Sequence, residues 1–177
     1  KKSTIFVDEA YHEYVMDPNY RSMIDLVKLG YNVIVSRTAS KVHGLAGLRV
    51  GFAITTPEIA NQMESYLTDS LNIVGLRAAI ASYQDKKFQA YSISQNNRAR
   101  DVVTGYLDAK GVKYLDSQTN FIFIKTGMEI TDLQPAMEKH GVLVGRPFPP
   151  YTKWCRLSMA KPEEMERFNY GFDKVLG

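Results

Sequence analysis

Residues 36–52 read SRTASKVHGLAGLRVGF, and this stretch holds the strongest indications of fold and chemistry in the sequence. It continues the apolar run NVIVS, residues 32–36, which predicts a buried β-strand. Lys41 therefore lies in a polar loop that directly follows a central strand, where α/β sheets bind ligands. A lysine held partly away from water at such a place can form a Schiff base. A solvated loop lysine is the alternative that its position alone leaves open.

Phosphate-binding groups flank Lys41 in the sequence. Thr38 and Ser40 place two hydroxyls beside it, and Arg49 follows at the start of the next predicted strand, residues 48–55. Hydroxyls and a planar guanidinium together suit a phosphate group. Glycines allow the loop backbone to turn tightly and approach a ligand, at Gly44, Gly47 and Gly51. Their spacing matches neither the dinucleotide-binding fingerprint nor a P-loop, so the phosphate belongs to another kind of ligand.

An acidic residue, Asp8, follows the first predicted strand, STIFV at residues 3–7, which we expect to be buried. A carboxylate buried there needs a cationic partner. A protonated pyridine nitrogen is such a partner, and the pair would keep the ring an electron sink. Tyr11, three residues later, can offer its hydroxyl to an oxygen on the same ring. Asp8 could equally cap the segment that follows, so this motif alone is weak evidence.

The three motifs together closely resemble the aminotransferases of classes I and II, which have fold type I and depend on pyridoxal 5'-phosphate (PLP). The motifs are VDEAYHEY at residues 7–14, SRTASK at residues 36–41 and GLAGLRVGF at residues 44–52. Within this family the chain looks most like the histidinol-phosphate aminotransferase group. The resemblance runs from residue 4 to the C-terminus, and its most specific motifs lie in residues 7–52.

The resemblance implies a role for each residue of these motifs. Asp8 would bind the pyridine nitrogen of PLP, Tyr11 would bind the ring oxygen, and Lys41 would form the Schiff base with the cofactor. The cofactor phosphate would be held by Thr38, Ser40 and Arg49. The resemblance further implies small-molecule substrates, an amino acid and a 2-oxo acid, a homodimeric enzyme and a place in amino-acid biosynthesis.

Two arginines in the last third of the chain are candidates for substrate binding. Arg156, in WCRLSMA, matches the family arginine that binds the substrate carboxylate, or the substrate phosphate in the histidinol-phosphate enzymes. An arginine within an apolar strand needs an anionic partner, and a salt bridge to an acid of the protein is the alternative. A second family arginine, shortly after GVLV, is matched one place later here, by Arg146. This departure leaves both histidinol phosphate and an aromatic or other amino acid open as substrate.

Composition excludes several other classes of protein. The 177 residues are 45% hydrophobic and 23% charged, with a net charge of +3, which is typical of a globular protein. The basic residues are scattered, so nucleic-acid binding is not indicated, and no apolar run reaches the roughly 18 residues that span a bilayer. A single cysteine excludes an internal disulfide and fits the reducing cytoplasm. Without metal or catalytic spacing, we interpret four residues as packing or surface residues: His12, His43, His140 and Cys155.

Strand and helix signals alternate along the chain and predict an α/β protein. Predicted helices cover residues 22–29, 57–66, 72–83, 86–110, 131–140 and 162–176, and the later predicted strands cover residues 112–115, 120–125, 142–144 and 154–159. With the resemblance, this order predicts part of the large-domain sheet of a fold-type-I PLP enzyme in residues 1–85. A long connecting helix over residues 86–110 and a smaller α+β domain over residues 111–177 would follow.

Three functions remain open on the sequence alone. The first is transfer of an amino group between an amino acid, histidinol-phosphate-like or aromatic, and a 2-oxo acid, with Lys41 moving the α-proton. The second is a PLP-dependent decarboxylase of the threonine-phosphate type, and the third is a non-catalytic aminotransferase-like fragment. The chain opens within a strand and lacks motifs of the family's N-terminal half. We therefore expect an incomplete C-terminal half that self-associates and is inactive when isolated.

Overall fold

The computed structural model describes residues 3–68 and 70–177, which form two compact units. The boundary falls between Ser92 and Ile93. In the first unit the regular elements are β1 (Ile5–Asp8), α1 (Ile24–Lys28), β2 (Val33–Thr38), β3 (Gly51–Ile54), α2 (Pro57–Glu64) and α3 (Ile73–Gln84). The long helix α4 (Lys86–Ala109) contains the boundary. It is followed by β4 (Tyr114–Leu115), β5 (Phe121–Lys125), α5 (Ile130–Glu138), β6 (Trp154–Ser158) and α6 (Pro162–Leu176).

The sheet of the first unit has the order β1-β2-β3. Strand β1 pairs with β2 in parallel, with Asp8 opposite Ser36, and β2 pairs with β3 in antiparallel fashion, with Thr38 opposite Gly51. Because parallel strands end at the same edge of a sheet, the carboxyl ends of β1 and β2 lie side by side. The amino end of β3 lies at that same edge. This arrangement brings residues that are far apart in sequence to one place.

The second unit has an antiparallel sheet in the order β4-β5-β6. Its core forms where alternate residues of these strands meet one face of each helix, as periods of two and 3.6 require. The buried side chains include Ala99, Val103 and Leu107 of α4, Ile122 and Ile124 of β5, Cys155 and Leu157 of β6, and Met165, Phe168 and Phe172 of α6. Arg156 alternates with two of these residues and so lies on the opposite face of β6.

Most predicted elements are confirmed to within a few residues, because their signals are local. Pro162 opens α6, which ends at Leu176 as predicted. Asn72 caps α3 by accepting a hydrogen bond from the Gly75 amide at 3.0 Å. Gly30 has a φ of 79°, the left-handed conformation expected of a residue just after a helix.

Three predictions about strands are wrong. Strand β3 begins at Gly51 rather than at residue 48, because Ala46–Leu48 forms a short 3-10 turn and Arg49 has a φ of 55°. Residues 142–144 form no strand, because the Val142 amide bonds to the Met137 carbonyl at the end of α5. The first strand is not buried in this chain: Ile5 is 57% exposed and Phe6 63%. By contrast, Val33 and Val35 of β2 are buried as predicted.

None of the described helices combines the length and apolar character needed to cross a membrane. Within the same residues, no group of three or more histidine, cysteine or acidic side chains is arranged to hold a metal ion.

Candidate active site

All the residues predicted to bind the cofactor lie in the first unit, around the carboxyl edge of β1 and β2. Asp8 ends β1 and Thr38 ends β2, and Lys41 lies in the loop that follows β2. Tyr11 begins a short 3-10 turn after β1, and the Lys41 Nζ lies 5.1 Å from the centroid of its ring. The fold therefore brings the DEAY and SRTASK motifs together, as parallel pairing of their strands requires.

Lys41 belongs to a loop that is held firmly on both sides. Ala39, Val42 and His43 are buried, with 0%, 1% and 3% of their surface exposed, whereas Lys41 between them is half-buried. The Gly44 amide donates to the Lys41 carbonyl at 3.0 Å, and the Leu45 amide donates to the Ala39 carbonyl at the same distance. The lysine thus projects from a loop whose neighbouring side chains are packed into the protein.

Hydroxyl groups cluster at the start of this loop. The Thr38 Oγ1 lies 2.9 Å from the Ser40 Oγ, and it accepts a hydrogen bond from the Ser40 amide at 3.1 Å. Its other near neighbour is the Val50 carbonyl at 3.2 Å, which belongs to the segment leading into β3. Two hydroxyls are therefore close together at the edge of the sheet, and hydroxyls are chemically suited to an oxyanion.

Arg49 has a strained backbone. Its φ of 55° is the left-handed conformation, which costs a residue with a Cβ about 1 kcal/mol or more. Its exposed guanidinium donates from Nη1 to the Ala46 carbonyl at 2.9 Å. Residues held in such conformations concentrate at ligand-binding sites. The strain at Arg49 is consistent with a position shaped by a ligand.

The surroundings of Asp8 differ from the sequence-based expectation. Its carboxylate is exposed rather than buried, so this chain does not require a cation to stabilise it. The Oδ1 atom accepts hydrogen bonds from the Ala10 amide at 3.0 Å and from the Ser36 hydroxyl at 3.1 Å. The bond to Ala10 shows that Asp8 also caps the segment after β1. Both contacts hold the carboxylate at the edge where Thr38 and Lys41 lie.

Glu9 forms a buried network that the sequence did not reveal. It is only 5% exposed, and its Oε2 accepts a hydrogen bond from the Arg37 Nη2 at 2.8 Å. Its Oε1 accepts one from the Met23 amide at 2.7 Å, and the Ser22 hydroxyl adds another. Burial raises the pKa of Glu9, but these three partners outweigh burial, so the net pKa lies below its ordinary value. The network joins β1, β2 and the start of α1 behind Asp8.

His43 is a second buried polar residue whose contacts the sequence did not reveal. Its Nδ1 lies 2.9 Å from the Ser82 Oγ, and its ring lies against Tyr83 of α3, with 3.9 Å between centroids and the planes tilted by 35°. Burial lowers the pKa of His43 and raises the pKa of Tyr83 to about 12. The Tyr83 hydroxyl in turn donates to the Thr38 carbonyl at 3.3 Å. The only sequence signal for this role is a histidine two residues after the lysine.

The second unit holds the two arginines predicted to bind substrate. The guanidinium carbon of Arg156 lies 4.1 Å from the ring centroid of Phe121 and 5.9 Å from that of Phe148. The guanidinium of Arg146 also lies over Phe148, at 4.5 Å. Within residues 3–68 and 70–177, Arg156 forms no ion pair, and its buried Nε has no hydrogen-bond partner. A salt bridge to an acid of the described chain is therefore not what balances its charge.

This chain matches known proteins over nearly all of its length. The family model described as "Aminotransferase class I and II" matches residues 1–169. The histidinol-phosphate aminotransferase 2 of Hydrogenovibrio crunogenus is 31% identical over 176 residues, which cover 97% of this chain and 47% of that protein. The chain thus spans about half the length of the relatives it matches.

Solved structures show the same relationship. A putative histidinol-phosphate aminotransferase from Erwinia carotovora atroseptica superposes with a TM-score of 0.93 at 37% identity, covering 97% of this chain and 50% of its own. The Sinorhizobium meliloti histidinol-phosphate aminotransferase, solved with pyridoxal-5'-phosphate, gives 0.86 at 25% identity, covering 98% and 49%. The fold is therefore α/β and is part of the PLP-transferase fold of type I. The chain belongs to the family of class I and II aminotransferases.

Proposed function

We propose that the protein carrying this chain transfers an amino group between an amino acid and a 2-oxo acid, with pyridoxal 5'-phosphate as its cofactor. The observation that carries the proposal is the position of Lys41. It is half-buried at the carboxyl edge of the sheet, with its Nζ 5.1 Å from the centre of the Tyr11 ring. Membership of the aminotransferase family supports it.

The residues at this edge fit the cofactor. An amine, a carboxylate and a group of hydroxyls lie within one unit, and Arg49 adds a cation on a strained backbone. When bound, PLP supplies an electron sink that weakens the bonds to the substrate Cα. We assign the phosphate to Thr38, Ser40 and Arg49, and the pyridine nitrogen to Asp8. The hydrogen bonds from Ala10 and Ser36 would hold that carboxylate in place.

Lys41 would act twice. Its Nζ is the amine that would hold the cofactor, and as a free amine, once the substrate is in place, it would accept and return the proton of the substrate Cα. The loop from Ala39 to His43 holds the amine near one position, because its side chains other than Ser40 and Lys41 are buried. Tyr11 would direct its hydroxyl to the ring oxygen and orient the ring toward the lysine.

The two arginines of the second unit would bind the anionic part of the substrate. Both guanidinium groups lie against the ring of Phe148, and the Arg156 Nε lacks a partner within the described chain. An anion would supply that partner, since burying an unpaired charge is costly. A phosphate could engage both Arg156 and Arg146, which favours a histidinol-phosphate-like substrate. An aromatic amino acid, which has a single carboxylate, is the alternative.

The other two functions differ in their products. A decarboxylase of the threonine-phosphate type would release carbon dioxide and an amine, whereas the aminotransferase yields a 2-oxo acid. A non-catalytic protein would bind cofactor without a spectral change on addition of amino donors. The relatives named above are histidinol-phosphate aminotransferases, which favours transfer. We also propose that the protein is a homodimer located in the cytoplasm. In this proposal, residues 1–85 belong to the large domain, residues 86–110 form the connecting helix and residues 111–177 form the small domain.

Chemical reduction tests the assignment of Lys41. Borohydride treatment of the intact protein with PLP should attach the cofactor to Lys41, and Lys41→Ala should abolish both the adduct and transamination. Lys28 and Lys125 serve as internal controls, because both are exposed and lie outside the site. An adduct found by mass spectrometry on either control lysine, with Lys41 unmodified, would contradict the proposal.

A further inference from the structure

We propose that His43 is a positioning residue that holds the Lys41 loop against α3 and thereby keeps the lysine amine facing Tyr11. The inference rests on the proposed function, in which Lys41 is the reactive amine. It assigns to His43 no contact with the cofactor or the substrate. His43 and Lys41 are two residues apart in one tight turn, so the position of His43 would determine the position of Lys41.

The contacts of His43 reach two segments besides its own loop. In α3, the Ser82 hydroxyl lies 2.9 Å from the Nδ1, and the Tyr83 ring packs against the imidazole with 3.9 Å between centroids. In the 3-10 turn after β1, the Glu13 Oε1 lies 3.9 Å from the Nε2. That turn begins beside Tyr11, the residue that Lys41 faces. His43, which belongs to the segment that carries the lysine, thus approaches the segment that carries the tyrosine.

Packing alone does not require a polar ring at the buried position of His43. Its side chain is fully buried, yet the Nε2 has no hydrogen-bond partner within the described residues. A buried polar atom without a partner carries a cost that an apolar ring would avoid. The charged groups that act on it are Glu13 and Lys86, and burial is the largest influence, lowering the pKa of His43. A neutral imidazole can accept or donate at Nδ1 toward Ser82.

The turn that contains His43 transmits its position to Lys41. The Gly44 amide donates to the Lys41 carbonyl at 3.0 Å, closing a turn of which His43 is part. The Tyr83 hydroxyl fixes the other end of the loop by donating to the Thr38 carbonyl at 3.3 Å. Because a catalytic group displaced by about 1 Å can lose about 100-fold in rate, loosening this turn should slow the steps in which Lys41 acts.

The experiment compares His43→Phe, Ser82→Ala and His140→Phe in the intact protein. His43→Phe keeps an aromatic ring to stack on Tyr83 but removes the bond to Ser82. Ser82→Ala removes the hydroxyl contact from the other side and leaves the imidazole and the Ser82 backbone in place. His140→Phe is the matched control, because His140 lies in the second unit, where its ring approaches Tyr170. The measurements are kcat and KM, and hydrogen exchange of residues 39–45 in the cofactor-free protein.

We expect His43→Phe to lower kcat about 10- to 100-fold with little change in KM, and to speed exchange in residues 39–45 without cofactor. Ser82→Ala should change both quantities in the same direction by less, and His140→Phe should change neither. Wild-type kcat and wild-type exchange in both His43→Phe and Ser82→Ala would overturn the inference. If His43→Phe failed to fold, Ser82→Ala would decide alone. A cofactor adduct elsewhere than on Lys41 would instead overturn the proposed function, so the two failures are distinguishable.

Discussion

Individual side chains at the sheet edge differ in how they are held by the rest of the protein. Thr38 and Ser40 contact each other, and Asp8 is held by Ala10 and Ser36, so these groups are positioned by the protein itself. Arg49 is different, because its backbone is strained while its guanidinium is exposed. At the residue scale, the roles of Asp8 and of the arginines can each be tested by substitution.

For Asp8, we expect Asp8→Asn to keep PLP bound but to lower turnover about 100-fold or more. The amide can still accept the Ala10 hydrogen bond, yet it no longer favours a protonated pyridine nitrogen. Ser36→Ala removes one contact to Asp8 without removing the charge, so its effect should be much smaller. Spectra of the bound cofactor and steady-state rates provide the measurement. Wild-type turnover in the Asn variant would show that Asp8 has only its capping role.

For Arg156, we expect Arg156→Ala to raise KM for the amino-acid substrate about 10- to 100-fold, as loss of a hydrogen bond to a charged group implies. PLP binding should be unchanged, because the partner of Arg156 is the substrate anion. Arg49→Ala should behave in the opposite way, weakening PLP with little change in KM. Arg146→Ala should raise KM for phosphorylated substrates alone. If Arg156→Ala lost PLP but kept its KM, the roles of Arg49 and Arg156 would be reversed.

At the scale of elements, the buried carboxylate of Glu9 ties β1 to β2 and α1. Arg37 of β2 and Ser22 and Met23 before α1 all donate to it. Helix α1 has only five residues, and none of them is buried, so this network is an important attachment of that segment. A short helix has little stability of its own.

The lowered pKa of Glu9 predicts how stability varies with acidity. A carboxyl group whose pKa is lower in the folded state stabilises the protein above its unfolded pKa, near 4.5, and loses that contribution as the pH falls through the folded value. We therefore expect denaturant unfolding followed by circular dichroism to show a loss of stability below about pH 4.5. Glu9→Gln should flatten this acid dependence, and at neutral pH it should cost about 3 kcal/mol, because Arg37 is left unpaired. An unchanged acid profile in Glu9→Gln would contradict this prediction.

At the scale of the whole molecule, the first unit exposes large apolar side chains. Phe6 of β1 is 63% exposed, Ile73 of α3 is 65% exposed and Val74 is 74% exposed. Exposed apolar side chains of this size can pack against another copy of the chain, which removes them from water. These side chains support the expectation from sequence that the isolated chain self-associates.

We therefore expect residues 1–177, purified alone, to elute above the monomer mass on a sizing column with light scattering. The same material should show no transamination with PLP and several amino donors. Phe6→Ser combined with Val74→Ser should reduce the association, whereas Tyr170→Ser, an exposed aromatic of the second unit, serves as the control. A monomer with measurable turnover would show that residues 1–177 are self-sufficient.

Local patterns in the sequence determined the helices, most of the strands and the family. The apolar spacing of α6, the glycine after α1 and the valines of β2 each act over a few neighbouring residues, so they can be interpreted without the fold. The order of the motifs around Asp8 and Lys41 can likewise be interpreted without the fold. Parallel pairing of β1 and β2 then places those motifs together, as their positions after strands had indicated.

Only the tertiary structure decided what depends on distant partners. The burial of Glu9 depends on Arg37 and Ser22, and the burial of His43 depends on Ser82 and Tyr83, none of which is adjacent in sequence. The predicted strand at residues 142–144 failed for the same reason, since a strand requires a pairing partner and Val142 bonds instead to the end of α5. Propensity is local, whereas strand pairing, burial and the polar partners of a side chain are set by contacts across the fold.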